Sequence, residues 1–90
     1  MNQAMSIVPP VPVDRVPADL EGKLVWMTKF GKPSVYHSGD GFWAQIQMHV
    51  SAQGATFKID SDMRHGSPTS AVDQCIQRML EALSTLNRGG

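Results

Sequence analysis

The chain contains little cysteine and no net charge. Its 90 residues include one cysteine, Cys75, so an intramolecular disulfide is excluded and the fold must be stable without one. This favours a reducing compartment, and we expect a cytoplasmic protein. Eight basic residues balance eight acidic ones, which argues against a partner held mainly by charge, such as duplex DNA.

Long apolar runs and recognisable catalytic motifs are also missing. No run approaches the roughly 20 apolar residues that span a bilayer, and the N-terminus lacks the pattern of a signal peptide. The histidines are not spaced like zinc ligands, and there is no phosphate-binding loop, paired-carboxylate site or Ser-His-Asp signature. We therefore expect no enzyme, no cofactor, no metal site and no membrane partner.

A strict two-residue alternation from Phe42 to Ser51 is the clearest pattern in the chain. Because successive side chains of a strand point to opposite faces, this period predicts a half-buried β-strand. The apolar face would hold Phe42, Ala44, Ile46, Met48 and Val50. The opposite face would hold Trp43, Gln45, Gln47, His49 and Ser51.

The neighbouring segments predict two more strands. Residues 35–38 form a short strand, and the Gly39-Asp40-Gly41 turn supplies the positive-φ positions of a tight hairpin. A second connection over residues 51–54 leads into a strand over residues 55–62, in which Phe57 and Ile59 share the apolar face. Two consecutive hairpins give an antiparallel meander.

A long amphipathic helix is expected from Ser67 to Leu86. Ser67 is suited to the N-cap and Pro68 to the first helical position. An apolar stripe follows at helical spacing: Val72, Ile76, Met79, Leu83 and Leu86. Cys75 lies beside the stripe, where burial disfavours the thiolate, so we expect it to pack rather than react. We expect the helix to pack on the apolar face of the sheet, which gives a two-layer α+β fold with its core between the two layers.

The secondary structure of the first third of the chain is harder to predict. An extended or disordered arm is predicted over residues 1–19 because this segment contains four prolines: Pro9, Pro10, Pro12 and Pro17. A single domain over residues 20–88 remains. Apolar residues between Leu20 and Phe30 have helical spacing, whereas Gly22 and the run from Leu24 to Thr28 favour a strand. We favour the strand, which would be a fourth in the sheet.

The polar face of the sheet is the candidate binding site. An outward tryptophan is typical of an interface, so we expect a non-enzymatic protein-binding module, with a homodimer as one form. Its contact residues would be Trp43, Gln45, Gln47, His49 and Lys58. The alternative is that the valine-rich arm or the Trp26 segment covers this face.

A nucleic-acid-binding module is the second hypothesis. Basic side chains between aromatic ones can hold single strands. The relevant residues would be Lys23, Lys29 and Lys32 with Trp26 and Tyr36.

The element order from Gly31 onward resembles a double-stranded-RNA-binding domain. The likeness rests on residues 32–36, the three strands and a capped C-terminal helix that includes Ala82 and Leu83, and it implies RNA as a partner. Residues 67–70, Ser-Pro-Thr-Ser, stand where that family has phosphate-binding lysines. The layout is also similar to HicB-type antitoxins and, in style, to small phage-encoded accessory proteins, which implies binding to a host or phage protein.

Overall fold

A computed structural model describes residues 15–49 and 56–89 of the chain. The elements are α1 (Leu20–Met27), β1 (Lys32–Ser38), β2 (Gly41–His49), β3 (Thr56–Asp60) and α2 (Pro68–Gly89). The strands form an antiparallel sheet in the order β1-β2-β3, and α2 packs on one face, mainly against β2. The predicted α+β meander with a C-terminal helix is confirmed. Residues 1–14 of the arm and the 51–54 connection lie outside the described residues.

The favoured strand over residues 20–30 is wrong, because this segment forms helix α1. The Asp19 carboxylate caps the helix by accepting a hydrogen bond of 3.1 Å from the Gly22 amide. The helix then buries Trp26 and Met27 in the core, at 4% and 1% exposure. Burial of two large side chains outweighs the weak strand preference of the sequence. Within residues 15–49 and 56–89 the sheet accordingly has three strands.

Gly22, which argued against a helix, is the residue that the helix start requires. A Cβ atom at this position would lie 2.6 Å from Asp19 Oδ1 and 2.9 Å from Pro17 Cβ. The capping carboxylate therefore occupies the space that a larger side chain would need. Ahead of it, Val16 packs against the core, so the end of the predicted arm is part of the folded unit.

The core lies between the sheet and the two helices. The predicted apolar face of β2 is confirmed at Ala44, Ile46 and Met48, which are 1%, 0% and 0% exposed. Phe42 is partly buried against the core, and Val50 lies outside the described residues. From α2 the stripe between Val72 and Leu83 is buried together with its neighbours: Ala71, Val72, Cys75, Ile76, Met79 and Leu83. The expectation that α2 alone covers the sheet was incomplete, because α1 adds Trp26 and Met27.

Phe57 was expected in this core but is 36% exposed. Its position opposite Met48 in the register does place it on the helix side of the sheet. However, α2 runs closer to β2 than to β3, so the far end of the edge strand is left partly open. Ile59, nearer the middle, packs against the core as expected.

The first hairpin lies where it was predicted, but positive φ is confined to fewer of its residues than predicted. Ser38 pairs with Gly41, so Gly39 and Asp40 form the turn. Within the described chain, positive φ occurs at Gly41 (154°) and not at Gly39. A Cβ at Gly41 would approach the His65 carbonyl oxygen to 2.7 Å, because His65 forms a bridge with Phe42 at this point.

Candidate functional site

The three strands present one face away from the helices, which we name the outer face. It is set by the register, in which Lys32, Ser34 and Tyr36 of β1 pair with Gln47, Gln45 and Trp43 of β2. On the other side of β2, Gln45, Gln47 and His49 pair with Asp60, Lys58 and Thr56 of β3. Four of the five predicted contact residues belong to this set: Trp43, Gln45, Gln47 and Lys58. The fifth, His49, pairs with Thr56 in the register. Both helices lie on the opposite face of the sheet.

Tyr36 and Trp43 form a stacked pair on the outer face. Their ring centroids are 4.2 Å apart and the ring planes differ by 21°. Tyr36 is 40% exposed, and Trp43 is half-buried against it. Such cross-strand aromatic pairs are worth about 0.5–1.5 kcal/mol beyond the area they bury. The pair therefore holds a rigid aromatic surface in contact with solvent.

This pairing was not predicted, because the sequence pattern placed the two rings in different candidate sites. Tyr36 was grouped with the lysines of the first third, whereas Trp43 was placed on the sheet face. The signal was nevertheless present in the hairpin. A two-residue turn at Gly39 and Asp40 pairs Ser38 with Gly41, and counting back two residues on each side places Tyr36 opposite Trp43.

The rest of the outer face is polar and carries charge at one end. Gln45 Nε2 donates a hydrogen bond of 2.8 Å to Asp60 Oδ1, which fixes the middle of the face. Gln47 lies between Lys32 and Lys58 in the register, and both lysines are exposed. Tyr36 is four residues from Lys32 along β1, so the aromatic pair and the lysines are about 13 Å apart.

The predicted nucleic-acid residues do not form one surface. Lys23 is 8% exposed and its Nζ contacts Asp73 Oδ1 at 2.6 Å, joining α1 to α2. Trp26 is 4% exposed and belongs to the core. Lys29 is exposed in the turn after α1, whereas Lys32 and Tyr36 lie on the outer face. Two of the five residues are thus internal, and two others belong to the sheet surface.

A hydrogen-bonded cluster around His65 ties the β3–α2 connection to helix α2. His65 Nδ1 lies 2.7 Å from Ser70 Oγ, and His65 Nε2 lies 2.8 Å from Gln74 Oε1. The Gln74 oxygen also accepts a hydrogen bond from the Asp62 amide at 2.6 Å. Since an amide oxygen only accepts, Nε2 of His65 carries a proton. No motif in the sequence indicates this cluster.

Asp62 completes the cluster. It accepts hydrogen bonds from Arg78 Nη2 at 2.9 Å and from Gln74 Nε2 at 3.2 Å. These two hydrogen bonds, from Arg78 first and then Gln74, lower the pKa of Asp62 below its ordinary value of 3.8. Arg78 also donates from Nη1 to the Asp60 carbonyl at 2.8 Å, so it fastens the end of β3 as well.

Cys75 occupies the core, as predicted. It is 0% exposed, and its Sγ lies 3.4 Å from the Ile59 carbonyl oxygen. Burial raises the pKa of the thiol to about 11. A neutral, buried thiol is a poor nucleophile, so this cysteine serves packing.

A shallow groove of about 510 Å³ runs beside α1. It is bounded by the segment from Arg15 to Asp19 and by the exposed side of the helix around Val25. Charges of both signs line it, and none is an unpartnered buried group. The groove therefore has no set of side chains that favours one ligand class.

Residues 15–49 and 56–89 contain no group of three or more His, Cys, Asp or Glu side chains placed to hold a metal ion. In the same residues, no helix has the length and apolar character needed to cross a bilayer.

Comparison of the chain with protein-family models, with curated proteins and with solved structures found no match.

Proposed function

We propose that this protein is a small non-enzymatic module that binds another protein through the outer face. The observation that carries the proposal is the stacked Tyr36–Trp43 pair, which lies on the face opposite the helices and stays partly exposed. Tyrosine and tryptophan are enriched among the residues that dominate interface energies, because they bring large contact areas at low entropic cost. A core role would have turned them toward α2 instead.

The layout of the outer face indicates the chemistry of the partner. The aromatic pair suits an apolar or aromatic side chain, and the Lys32–Lys58 end suits a carboxylate about 13 Å away. Between them Ser34 and Gln45 offer hydrogen bonds. The expected partner is therefore a protein segment with an apolar anchor and an acidic group at that distance.

The size of the face predicts a transient contact. Three strands about 4.8 Å apart and about six residues long cover roughly 300 Å². Stable complexes bury about 800 Å² on each partner. A single copy of this face therefore supports a weak interaction, of the kind found in signalling and regulation. A partner in the host or phage cytoplasm agrees with a fold that needs no disulfide.

Single-stranded nucleic acid is the competing occupant of the same face. Stacked aromatics beside lysines can hold bases, but the face carries two lysines and the acidic Asp60, a net charge of about +1. Two phosphate contacts would give a salt dependence of about −1.4 in log–log form, which is shallow for a nucleic-acid-binding protein. The charge balance thus favours a protein partner.

The test is affinity capture from cells that naturally produce the protein, with the partner quantified by mass spectrometry. Trp43→Ala is compared with the wild type and with Gln77→Ala, an exposed position on α2. We expect the partner to be lost with Trp43→Ala and retained with Gln77→Ala. Unfolding of both variants is measured in parallel. Trp43→Ala is expected to lose about 0.5–1.5 kcal/mol of stacking and, in addition, the apolar burial of a half-buried ring, which together stay below the roughly 3–5 kcal/mol that a core tryptophan costs. A partner retained in full by Trp43→Ala contradicts the proposal.

Binding of single-stranded nucleic acid is tested by a titration with oligothymidylate at low ionic strength, in which tryptophan emission is measured. Trp26 is buried, so a change would report Trp43. We expect none; saturable quenching that Trp43→Ala abolishes would replace the protein partner with nucleic acid.

A further inference from the structure

The two edges of the sheet differ in their capacity to accept another strand. The direction of the backbone groups follows from the hydrogen bonds of β2. Phe42 exchanges both backbone hydrogen bonds with His65, at 2.9 and 3.1 Å, and the Ala44 carbonyl accepts from the Ser61 amide at 2.8 Å. The backbone N–H and C=O groups of Phe42 and Ala44 thus point toward β3. Because these groups alternate along a strand, those of Trp43 and Gln45 point toward β1.

The same alternation fixes the free edge of β1. Tyr36 and Ser34 pair with Trp43 and Gln45, so their backbone groups point inward to β2. Those of Pro33, Val35 and His37 point outward. Proline lacks an N–H group, so its place on the outward side costs no internal hydrogen bond. Within residues 15–49 and 56–89, β1 has no strand on this side.

The edge of β3 is less able than that of β1 to pair with another strand. Its outward groups belong to Thr56, Lys58 and Asp60, and the Asp60 carbonyl already accepts a hydrogen bond from Arg78. A second copy added there about a two-fold axis at Lys58 would set the two Lys58 side chains directly opposite each other. Like charges in that position destabilise strand pairing.

We infer that two copies of this chain pair antiparallel through β1, about a two-fold axis at Val35, and form one six-stranded sheet. Val35 then faces Val35 of the second copy, and the exposed Lys32 faces Ser38, so no like charges oppose each other. The Val35 amide of each copy donates to the Val35 carbonyl of the other, which gives two hydrogen bonds. The His37 amide of each copy donates to the Pro33 carbonyl of the other, which gives two more and makes four in total. The missing N–H of Pro33 leaves the two His37 carbonyls without a donor, which limits the affinity.

The pairing has a consequence for the outer face. Tyr36 of one copy lies beside Ser34 of the other, so the two aromatic pairs lie on a single surface of about 600 Å². This approaches the size of a stable interface on one partner. The dimer itself rests on the strand edges and not on the proposed function, so either can fail alone.

Light scattering over a range of concentrations, together with two matched variants, tests the pairing. His37→Pro removes two of the four hydrogen bonds between copies, while His37→Ala keeps the backbone N–H and loses the same side chain. We expect a concentration-dependent dimer whose dissociation constant rises about tenfold or more in His37→Pro relative to His37→Ala. A monomer at every concentration up to the millimolar range overturns the inference, as does a dimer that His37→Pro does not weaken.

Cross-linking identifies the register. Directly opposed residues of a hydrogen-bonded antiparallel pair have Cα atoms about 5.5 Å apart, within the range of a disulfide. Val35→Cys is therefore expected to form a disulfide-linked dimer under mild oxidation. His37→Cys would place its thiols about 13 Å apart and should not form one. The background is low, because Cys75 is buried. A cross-link through Lys58→Cys but not Val35→Cys would assign the dimer to β3 and overturn the inference.

Discussion

Replacement of Ile46 by alanine tests the two-faced sheet on which the proposed site depends. Ile46 lies in the middle of the central strand, is 0% exposed, and pairs with Pro33 on one side and Ile59 on the other. The substitution removes three carbon atoms. At about 0.8 kcal/mol for each, the loss of transfer free energy is about 2.4 kcal/mol.

The cavity left behind adds to this cost, because the neighbours of Ile46 belong to three different elements and cannot all move inward. Substitutions of this kind cost about 2–5 kcal/mol in total. A domain of this size has about 5–13 kcal/mol of stability, so the variant should lose a large part of it. The effect should appear as a lower denaturation midpoint in urea with an unchanged slope.

Gln47→Ala is the matched control, since the neighbouring side chain lies on the outer face. It should change the free energy of unfolding by less than about 0.5 kcal/mol. A loss below about 1 kcal/mol for Ile46→Ala, or equal losses for both variants, would refute the assignment of the two faces.

Three further outcomes follow from the fold. Gly31→Ala should destabilise by about 1–3 kcal/mol in urea unfolding, since a Cβ there would overlap the Gln47 carbonyl oxygen; an unchanged midpoint would contradict this close approach. Asp62→Asn should be less stable than the wild type at neutral pH. Because the pKa of Asp62 is lowered on folding, the difference should be complete above about pH 3.8 and should disappear as the pH falls further; a difference that grows in acid would be the wrong sign. Cys75 should react with iodoacetamide at neutral pH only as fast as the protein unfolds, and labelling at the rate of a free thiol would show that it is accessible.

Much of the fold could be predicted from local periodicity. The alternation from Phe42 assigned Ala44, Ile46 and Met48 to the core, and the stripe beginning at Val72 assigned the buried side of α2. Both patterns extend over several turns or pairs, so each contains enough positions to define a face.

Helix α1 could not be predicted in the same way. It has eight residues, and its apolar side chains surround the axis, with Val25 62% exposed and Trp26 buried beside it. The helical spacing of its apolar residues extends over about two turns, too short a stretch to outweigh the strand preference of residues 24–28. Its decisive feature is the Asp19 cap, whose carboxylate lies with Pro17 in the space next to Gly22.

The site was predicted in part, for a related reason. Alternation states which side chains of one strand share a face, and it assigned Trp43 and Gln47 correctly to the side away from α2. It says nothing about which residue of the next strand lies opposite. The stacked partner of Trp43 therefore emerged only with the register. The cluster of His65 with Gln74 depends on the path of the connection between β3 and α2, which no periodic pattern describes.

The outer face can be tested most directly by placing the photoreactive residue p-benzoylphenylalanine at Gln47 or at Gln77 in cells that produce the protein. Both positions carry the same natural side chain, one on the outer face and one on α2. We expect a specific cross-linked partner from position 47 and none from position 77. A partner captured from position 77 alone would show that the helical side is the binding surface and would contradict the assignment of the binding site to the outer face.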